Sequence, residues 1–312
     1  MPPAEIVVAV IGSAAQSALV RASQASVLGV TSRGIFLSLP PHRVVFLSYE
    51  TYRGPLTLNL QGDVQALQRL SSHFPVQVTP DRIAFPSLGL VLRYGQSANW
   101  AAPAPPQKRL NPDQIQANLT GLAGLVLEQR AGAPTSPGAA LLEAYRTNKD
   151  ACQTKGAHRA PLPDRDIIIL GKDLQAALQT RQVQALATAL GAFLGMGPGL
   201  TPSGDDLAAG FLLALHRMQR FSAREWEALG EALLPVAYQK TTTLSASLIE
   251  CACQGQADER LVTALDGLLT GAPDLPTCAG MLLSWGSSSG VDALAGMALA
   301  FLNTEKSKRV RP

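Results

Sequence analysis

The sequence predicts an α+β protein in which a small β-rich N-terminal domain precedes a mainly α-helical C-terminal domain, and three observations carry that reading. Short β-rich runs broken by turn residues extend to about Tyr94. The stretch Trp100–Gln107, WAAPAPPQ, then stiffens the chain and forbids regular structure. Beyond it strand signals nearly vanish and apolar residues recur at helical spacing. The boundary falls in the Pro-rich stretch, giving domains 1–107 and 108–312.

In the first domain the β-rich runs are Ile6–Ile11, Ser26–Val30, Gly34–Leu39, Val44–Ser48, Leu56–Leu60, Val76–Val78 and Leu88–Tyr94, the pattern of a small barrel or sandwich. Ile6–Ala15 is short, has no preceding Lys or Arg and follows Glu5, so it reads as a buried strand and not as a signal core. Val64, Leu67 and Leu70 recur at helical spacing, which predicts one amphipathic helix over Gly62–Phe74.

In the second domain the spacing predicts helices over Asn111–Arg130, Gly138–Asn148, Asp173–Leu194, Gly204–Arg220, Ala223–Gln239, Leu244–Gln254, Asp258–Thr270 and Gly290–Asn303. Asp166–Leu170, DIIIL, reads as a short strand or a buried turn. Gly132–Gly138, GAPTSPG, reads as a loop, and Lys149–Pro163 as a polar segment that is mobile or covers a site.

Composition bounds the function. The chain has 312 residues, long enough to bury a real core, and its 46% hydrophobic against 16% charged residues point to extensive burial or an oligomeric surface, here read as a homo-oligomer. A net charge of +3, with basic residues crowded at Lys306, Lys308, Arg309 and Arg311, does not support nucleic-acid binding. No apolar stretch reaches the ~18 residues of a membrane helix. The four cysteines show neither a disulfide framework nor paired CxxC spacing, so Cys251 and Cys253 read as buried thiols in a reducing compartment, the cytoplasm.

The chemistry concentrates in Gly195–Gly210, GMGPGLTPSGDDLAAG. Gly195, Gly197 and Gly199 allow positive φ angles and keep bulk away from a ligand. Leu207–Leu215 is almost uniformly apolar, so its helix is buried on most sides and its N-terminus points out of the core. Free amides there, with Thr201 and Ser203 beside them, suit a carboxylate or phosphate; Lys172 or Arg217 are candidates to add charge. Ser203 and Asp206 also fit a capping box, whereas Asp205 is not needed by the cap and is the candidate for proton transfer, metal binding or holding a substrate amine. The segment is not a Walker A loop, because two acids stand where Gly-Lys-Ser/Thr would end it.

The pattern recurs. Ser203–Leu215, SGDDLAAGFLLAL, and Ser289–Phe301, SGVDALAGMALAF, align without gaps and share Ser, Gly, Asp, Ala, Gly, Leu and Ala. Each places glycine one helical turn after aspartate, Asp206 with Gly210 and Asp292 with Gly296. The likeness is either that of alanine-rich helices in general or the mark of two helix starts converging on one pocket, with Asp205, Asp206 and Asp292 around it and Ser287, Ser288 and Ser289 as a second anion-binding loop. A third polar group, Thr241, Thr242, Thr243, Ser245 and Ser247, reads as helix caps or as further lining. The histidines His42, His73, His158 and His216 have no ligand spacing, and no GxSxG elbow or Cys-His signature is present.

GMGPGLTPSGDD, TTTLSASLIECACQG and GSSSGVDALAG, in this order, resemble the AllH family, a subunit of oxamate carbamoyltransferase in anaerobic allantoin breakdown, a branch of purine catabolism. The resemblance implies binding of carbamoyl phosphate and oxamate, or their product oxalurate, and FdrA-like and AllG-like partner subunits. On that reading the small anionic substrate is held by Gly197, Gly199, Thr201, Ser203, Gly204, Thr243 and Ser287–Ser289, while Asp205 or Asp292 orients an amide nitrogen and Asp206 stands with them as a catalytic candidate. Two alternatives stand beside it. One is an Mg²⁺-dependent hydrolase in which Asp205, Asp206 and Asp292 bind the metal, a pattern that loosely resembles the helical ADP-ribosylglycohydrolases. The other is a non-catalytic ligand-binding or regulatory subunit.

Overall fold

The computed structural model describes residues 4–62, 64–133, 135–146 and 162–301. The chain divides into two compact units, 1–103 with 256–259, and 104–255 with 260–312. The first unit therefore ends inside the Pro-rich stretch and takes in a short segment from much later in the chain.

The β-rich unit is a barrel. Its strands are β1 (Ala4–Gly12), β2 (Gln24–Thr31), β3 (Gly34–Leu39), β4 (Arg43–Ser48), β5 (Thr57–Gln61), β6 (Pro75–Thr79), β7 (Arg82–Phe85), β8 (Leu90–Arg93) and β9 (Ala98–Trp100). They form one sheet in the order β5-β4-β3-β2-β6-β7-β8-β1-β9, which an antiparallel β1–β5 pairing closes, Val7 against Gln61 and Ile11 against Leu58. Closure removes the unpaired edges that a sandwich would leave. The alternating residues Ile6, Val8, Val27, Ile35, Leu37, Leu39, Val45, Leu47, Leu58, Ile83 and Leu92 fill the interior. Trp100 is buried at the end of β9, so the linker-like stretch begins after it.

Two local expectations change here. The strand expected over Ile6–Ala15 ends at Gly12 and gives way to a helix, α1 (Ser13–Val20), whose buried Ala15 and Leu19 lie one turn apart against the barrel core. Eight residues are too few to show a helical period against a preceding apolar strand. The helix expected over Gly62–Phe74 shrinks to a 3-10 turn at Gln65–Arg69. Pro75 disfavours helical geometry just before it, and His73 has a φ of +66°, while Leu67 and Leu70 stay buried.

The helical unit contains α2 (Pro112–Gln129), α3 (Pro137–Arg146), α4 (Leu162–Thr180), α5 (Val183–Gly191), α6 (Ser203–Arg217), α7 (Ala223–Lys240), α8 (Thr243–Cys253), α9 (Glu259–Thr270), α10 (Leu275–Ser284) and α11 (Ser289–Phe301). Asn111 with Gln114 and Ser222 with Glu225 form capping boxes that fix the starts of α2 and α7. DIIIL belongs to α4, being neither strand nor turn; its β-branched run mimics a strand, but Ile167, Leu174 and Leu178 are buried on one helical face while Ile169 is exposed. The helix expected over Asp173–Leu194 is split at Arg181, where φ is +54°. α10 lies in a stretch whose Pro276 and Gly280 obscure its period. Residues 149–161 of the polar segment, and the basic tail, lie outside the described residues. No described helix is long and apolar enough to cross a membrane.

The centre of the unit is the pair α6 and α11. α6 is buried from Ser203 to Leu215 and α11 from Gly290 to Phe301. Helices with no solvent face can emit polar groups only at their ends, and the candidate site lies at their two starts.

Candidate functional site

The approach to α6 is an exposed loop. Gly195, Gly197 and Gly199 have φ of +79°, +106° and +106°, which L side chains rarely adopt. Two bonds tie the loop to the helix: the Gly195 amide donates to Asp205 Oδ1 at 2.8 Å, and the Gly204 amide to the Met196 carbonyl at 2.9 Å. Among the described residues the amides of Gly197, Gly199, Leu200 and Thr201 have no hydrogen-bond acceptor. These donors lie in the loop that leads into the positive end of the α6 dipole.

The capping box expected at Ser203 and Asp206 does not form. Pro202, in extended conformation at φ −52° and ψ 143°, is the N-cap, and no side chain caps the helix. Its carbonyl accepts from the amides of Asp205 and Asp206. The helix thus starts one residue earlier than a Ser203 cap would place it, and both acids are first-turn residues with their carboxylates free for other partners.

Those partners differ. Asp205 has both oxygens engaged, Oδ1 by the Gly195 amide and Oδ2 by the Thr241 hydroxyl. Burial lifts its carboxyl above the ordinary range, against those two donors. It clamps the glycine loop to the junction of α7 and α8. Asp206 is 2% exposed and its Oδ2 has no partner. Burial pushes its carboxyl well above the ordinary range; the Ser289 hydroxyl opposes that shift, and the negative charge of Asp292 adds to it.

Asp292, wholly buried, accepts at Oδ1 from the Gly138 amide at 2.9 Å, and its Oδ2 is likewise unpartnered. Burial raises its carboxyl, opposed by the Ser136 hydroxyl, the Gly138 amide and the hydroxyls of Ser203 and Ser288. Gly138 is required there, since a Cβ would collide with Asp292 Oδ1. The GAPTSPG loop therefore supplies a third helix start, that of α3, where Ser136 Oγ accepts from the Ala139 amide at 3.2 Å. Ser136 and Gly138 were not singled out in the sequence, although Ser-Pro-Gly before an apolar run is a recognisable helix start.

The two repeats meet reciprocally. The Ser289 hydroxyl acts on Asp206 and the Ser203 hydroxyl on Asp292, so each helix's first serine serves the other's aspartate. Thr201 Oγ1 and Ser289 Oγ are 3.3 Å apart and join the two approach loops. Gly204 and Gly290 are equivalent: a Cβ on the first would strike the Phe193 carbonyl, on the second the Leu282 carbonyl. The approach loops of the two helices thus meet at Thr201 and Ser289.

The second loop, Trp285–Ser288, is held by the Gly290 amide donating to the Trp285 carbonyl at 3.1 Å, and the Arg130 guanidinium donates to the Ser287 carbonyl. Arg130 thus brings a positive charge to the second loop. Lys172 is exposed on α4, and Arg217, near the far end of α6, is bound bidentately to Asp266 at 2.7 and 2.5 Å. Thr242 caps α8 and donates to the Leu200 carbonyl at 2.7 Å; Thr243, the first residue of α8, is half-buried. Among the described residues no three His, Cys, Asp or Glu side chains group so as to hold a metal ion. The three aspartates do not act as one cluster, because Asp205 turns its oxygens to Gly195 and Thr241.

The sequence model of the family described as oxamate carbamoyltransferase subunit AllH matches residues 193–301, from the glycine loop to the end of α11. No solved structure matches the chain.

Proposed function

We propose, from the premise of that family match over residues 193–301, that this chain is a subunit of a carbamoyltransferase-related enzyme and that its helical unit seats a small anionic substrate such as carbamoyl phosphate, oxamate or oxalurate. The observation that carries the reading is the set of unbonded amides of Gly197, Gly199, Leu200 and Thr201 in the loop just before a buried helix, joined through Thr201 and Ser289 to a second helix start. Amides and helix dipoles aimed at one place favour a phosphate or carboxylate, and they need no reorganisation as charge develops on a leaving group.

In this reading the backbone of Gly197 and Gly199 and the hydroxyls of Thr201, Ser203 and Ser287–Ser289 hold the anion. Thr243 lines the same region, and Gly204 lets the helix start pack beneath it. Asp206 and Asp292, each with a free oxygen, set the hydroxyls or accept a substrate N–H; Asp205 holds the loop. Carbamoyl transfer between bound partners then relies on positioning and charge stabilisation. A subunit implies an assembly, for which FdrA-like and AllG-like chains are the proposed partners.

Calorimetric titration of the chain with phosphate, carbamoyl phosphate and oxamate, followed by a carbamoyl-transfer assay with and without those two partners, tests the reading. Anion binding by the chain alone, with turnover only in the assembly, is the expected result. Failure of all three anions to bind, alone and in the assembly, would sink it.

A further inference from the structure

Three consecutive residues at the junction of α7 and α8 hold the glycine loop at separate points. Lys240 Nζ donates to the Gly191 carbonyl at 3.0 Å, just ahead of the loop. Thr241 Oγ1 donates to Asp205 Oδ2, whose other oxygen accepts from the Gly195 amide. Thr242 Oγ1 donates to the Leu200 carbonyl at 2.7 Å and accepts from the Ser245 amide, in the first turn of α8, at 3.1 Å. The third contact differs from the first two in its consequence. The Leu200 carbonyl and the Thr201 amide belong to one peptide group, which is planar and trans, so its C=O and N–H point in opposite directions. Fixing the oxygen toward Thr242 fixes the Thr201 N–H away from it.

We propose that Thr242 is a positioning residue for the anion seat: through Leu200 it aims the Thr201 amide and strengthens it as a donor. Hydrogen bonds run head to tail from the Ser245 amide to the Thr242 hydroxyl, and from that hydroxyl to the Leu200 carbonyl. Each bond in such a chain polarises the next, and a carbonyl that accepts leaves its own peptide N–H more positive. The chain starts in the first turn of α8, at the positive end of that helix dipole. It ends on an amide that has no acceptor among the described residues. Thr201 Oγ1 lies 3.3 Å from Ser289 Oγ, so the amide is held beside the meeting point of the two approach loops. A helix cap needs only that the Thr242 hydroxyl accept from Ser245; the donation to Leu200 is additional. The orientation of the Thr201 amide stands on this geometry alone, whereas its use in binding an anion rests on the function proposed above.

The test is phosphate titration of the full chain by calorimetry, with the Thr201 amide nitrogen followed by NMR before and after phosphate is added. Thr242→Gly puts a residue accepted at helix N-caps in place of the hydroxyl, so its melting transition should stay near the parent's. Its phosphate affinity should fall about tenfold, the order expected when one hydrogen bond to a charged group is weakened. The Thr201 nitrogen resonance should move in the same variant before any phosphate is added. Thr242→Val removes the bond without loosening the backbone and should show the same two changes below its melting transition. Thr242→Ser keeps both hydrogen bonds and should return affinity and resonance to the parental values. Parental affinity in both the glycine and the valine variant, a Thr201 resonance unmoved in both, or a loss that serine does not restore would overturn the proposal. No phosphate bound by the parent, with the Thr201 resonance still displaced in the glycine and valine variants, would leave the orienting role standing and count against the anion seat.

Discussion

Gly210 lies against the carbonyl oxygen of Ala293, so close that a Cβ atom on the glycine could not be accommodated. The contact has a mirror in the other repeat, where Gly296 lies against the carbonyl of Leu207 and the amide of Phe211. Glycine one turn below each aspartate lets two buried helices cross backbone to backbone. Gly210→Ala or Gly296→Ala must push one helix backbone off the other, and no flexible side chain can give way. Each should cost about 3 kcal/mol or more of stability, the upper end of overpacking costs, measurable as a lowered midpoint in thermal or urea unfolding. A variant within 0.5 kcal/mol of the parent would contradict the crossing as described, on the scale of neutral surface changes.

Gly199 behaves differently, because nothing stands within 4 Å of a Cβ built there, yet its φ is +106°. Gly199→Val should strain the loop by about 1–3 kcal/mol and leave the helical unit folded. Phosphate affinity should drop at least tenfold on the order of the lost amide contacts. Unchanged affinity by calorimetry, with an intact melting transition, would remove the backbone cradle from the proposed function.

Thr241→Val keeps the shape of the side chain and deletes the donor to Asp205 Oδ2. A buried acceptor left bare costs about 1–3 kcal/mol. Burial already raises the Asp205 carboxyl and Thr241 opposes the shift, so the variant's carboxyl rises further. A raised carboxyl contributes stability that is complete below the ordinary carboxylate range and is lost as pH rises through the folded value. The deficit of the variant should therefore be small in acid and grow toward neutral pH, as unfolding curves at several pH values would reveal.

Arg217→Met separates stability from the site. Arg217 is 1% exposed and Asp266 23%, and the pair is bidentate. Removing the guanidinium should cost about 2–3 kcal/mol, somewhat less than a fully buried pair because water reaches Asp266. Arg217 stands eleven residues along α6 from Asp206, roughly 16 Å at the helical rise. Phosphate binding measured below the melting transition should equal that of the parent.

Local pattern in the sequence determined most of the helices, the positive-φ glycine loop, the burial of Leu207–Leu215 and the repeated Ser-Gly-x-Asp start, because periodicity, glycine and apolar runs act within a turn or two of chain. It failed where the signal was short or mimicked another element, at Ser13–Val20, Gln65–Arg69 and the DIIIL run of α4. Only the tertiary structure decided between sandwich and barrel, which rests on the β1–β5 pairing of residues about fifty apart. The fates of three aspartates identical in chemistry were settled the same way: Asp205 bonded to Gly195 and Thr241, Asp292 to Gly138, and Asp206 left with a bare oxygen. A carboxylate's role depends on which donors face it and how much water is excluded. Apart from the Gly195 amide, those donors come from the start of α3, the end of α7 and the other repeat, whose approach no local pattern encodes.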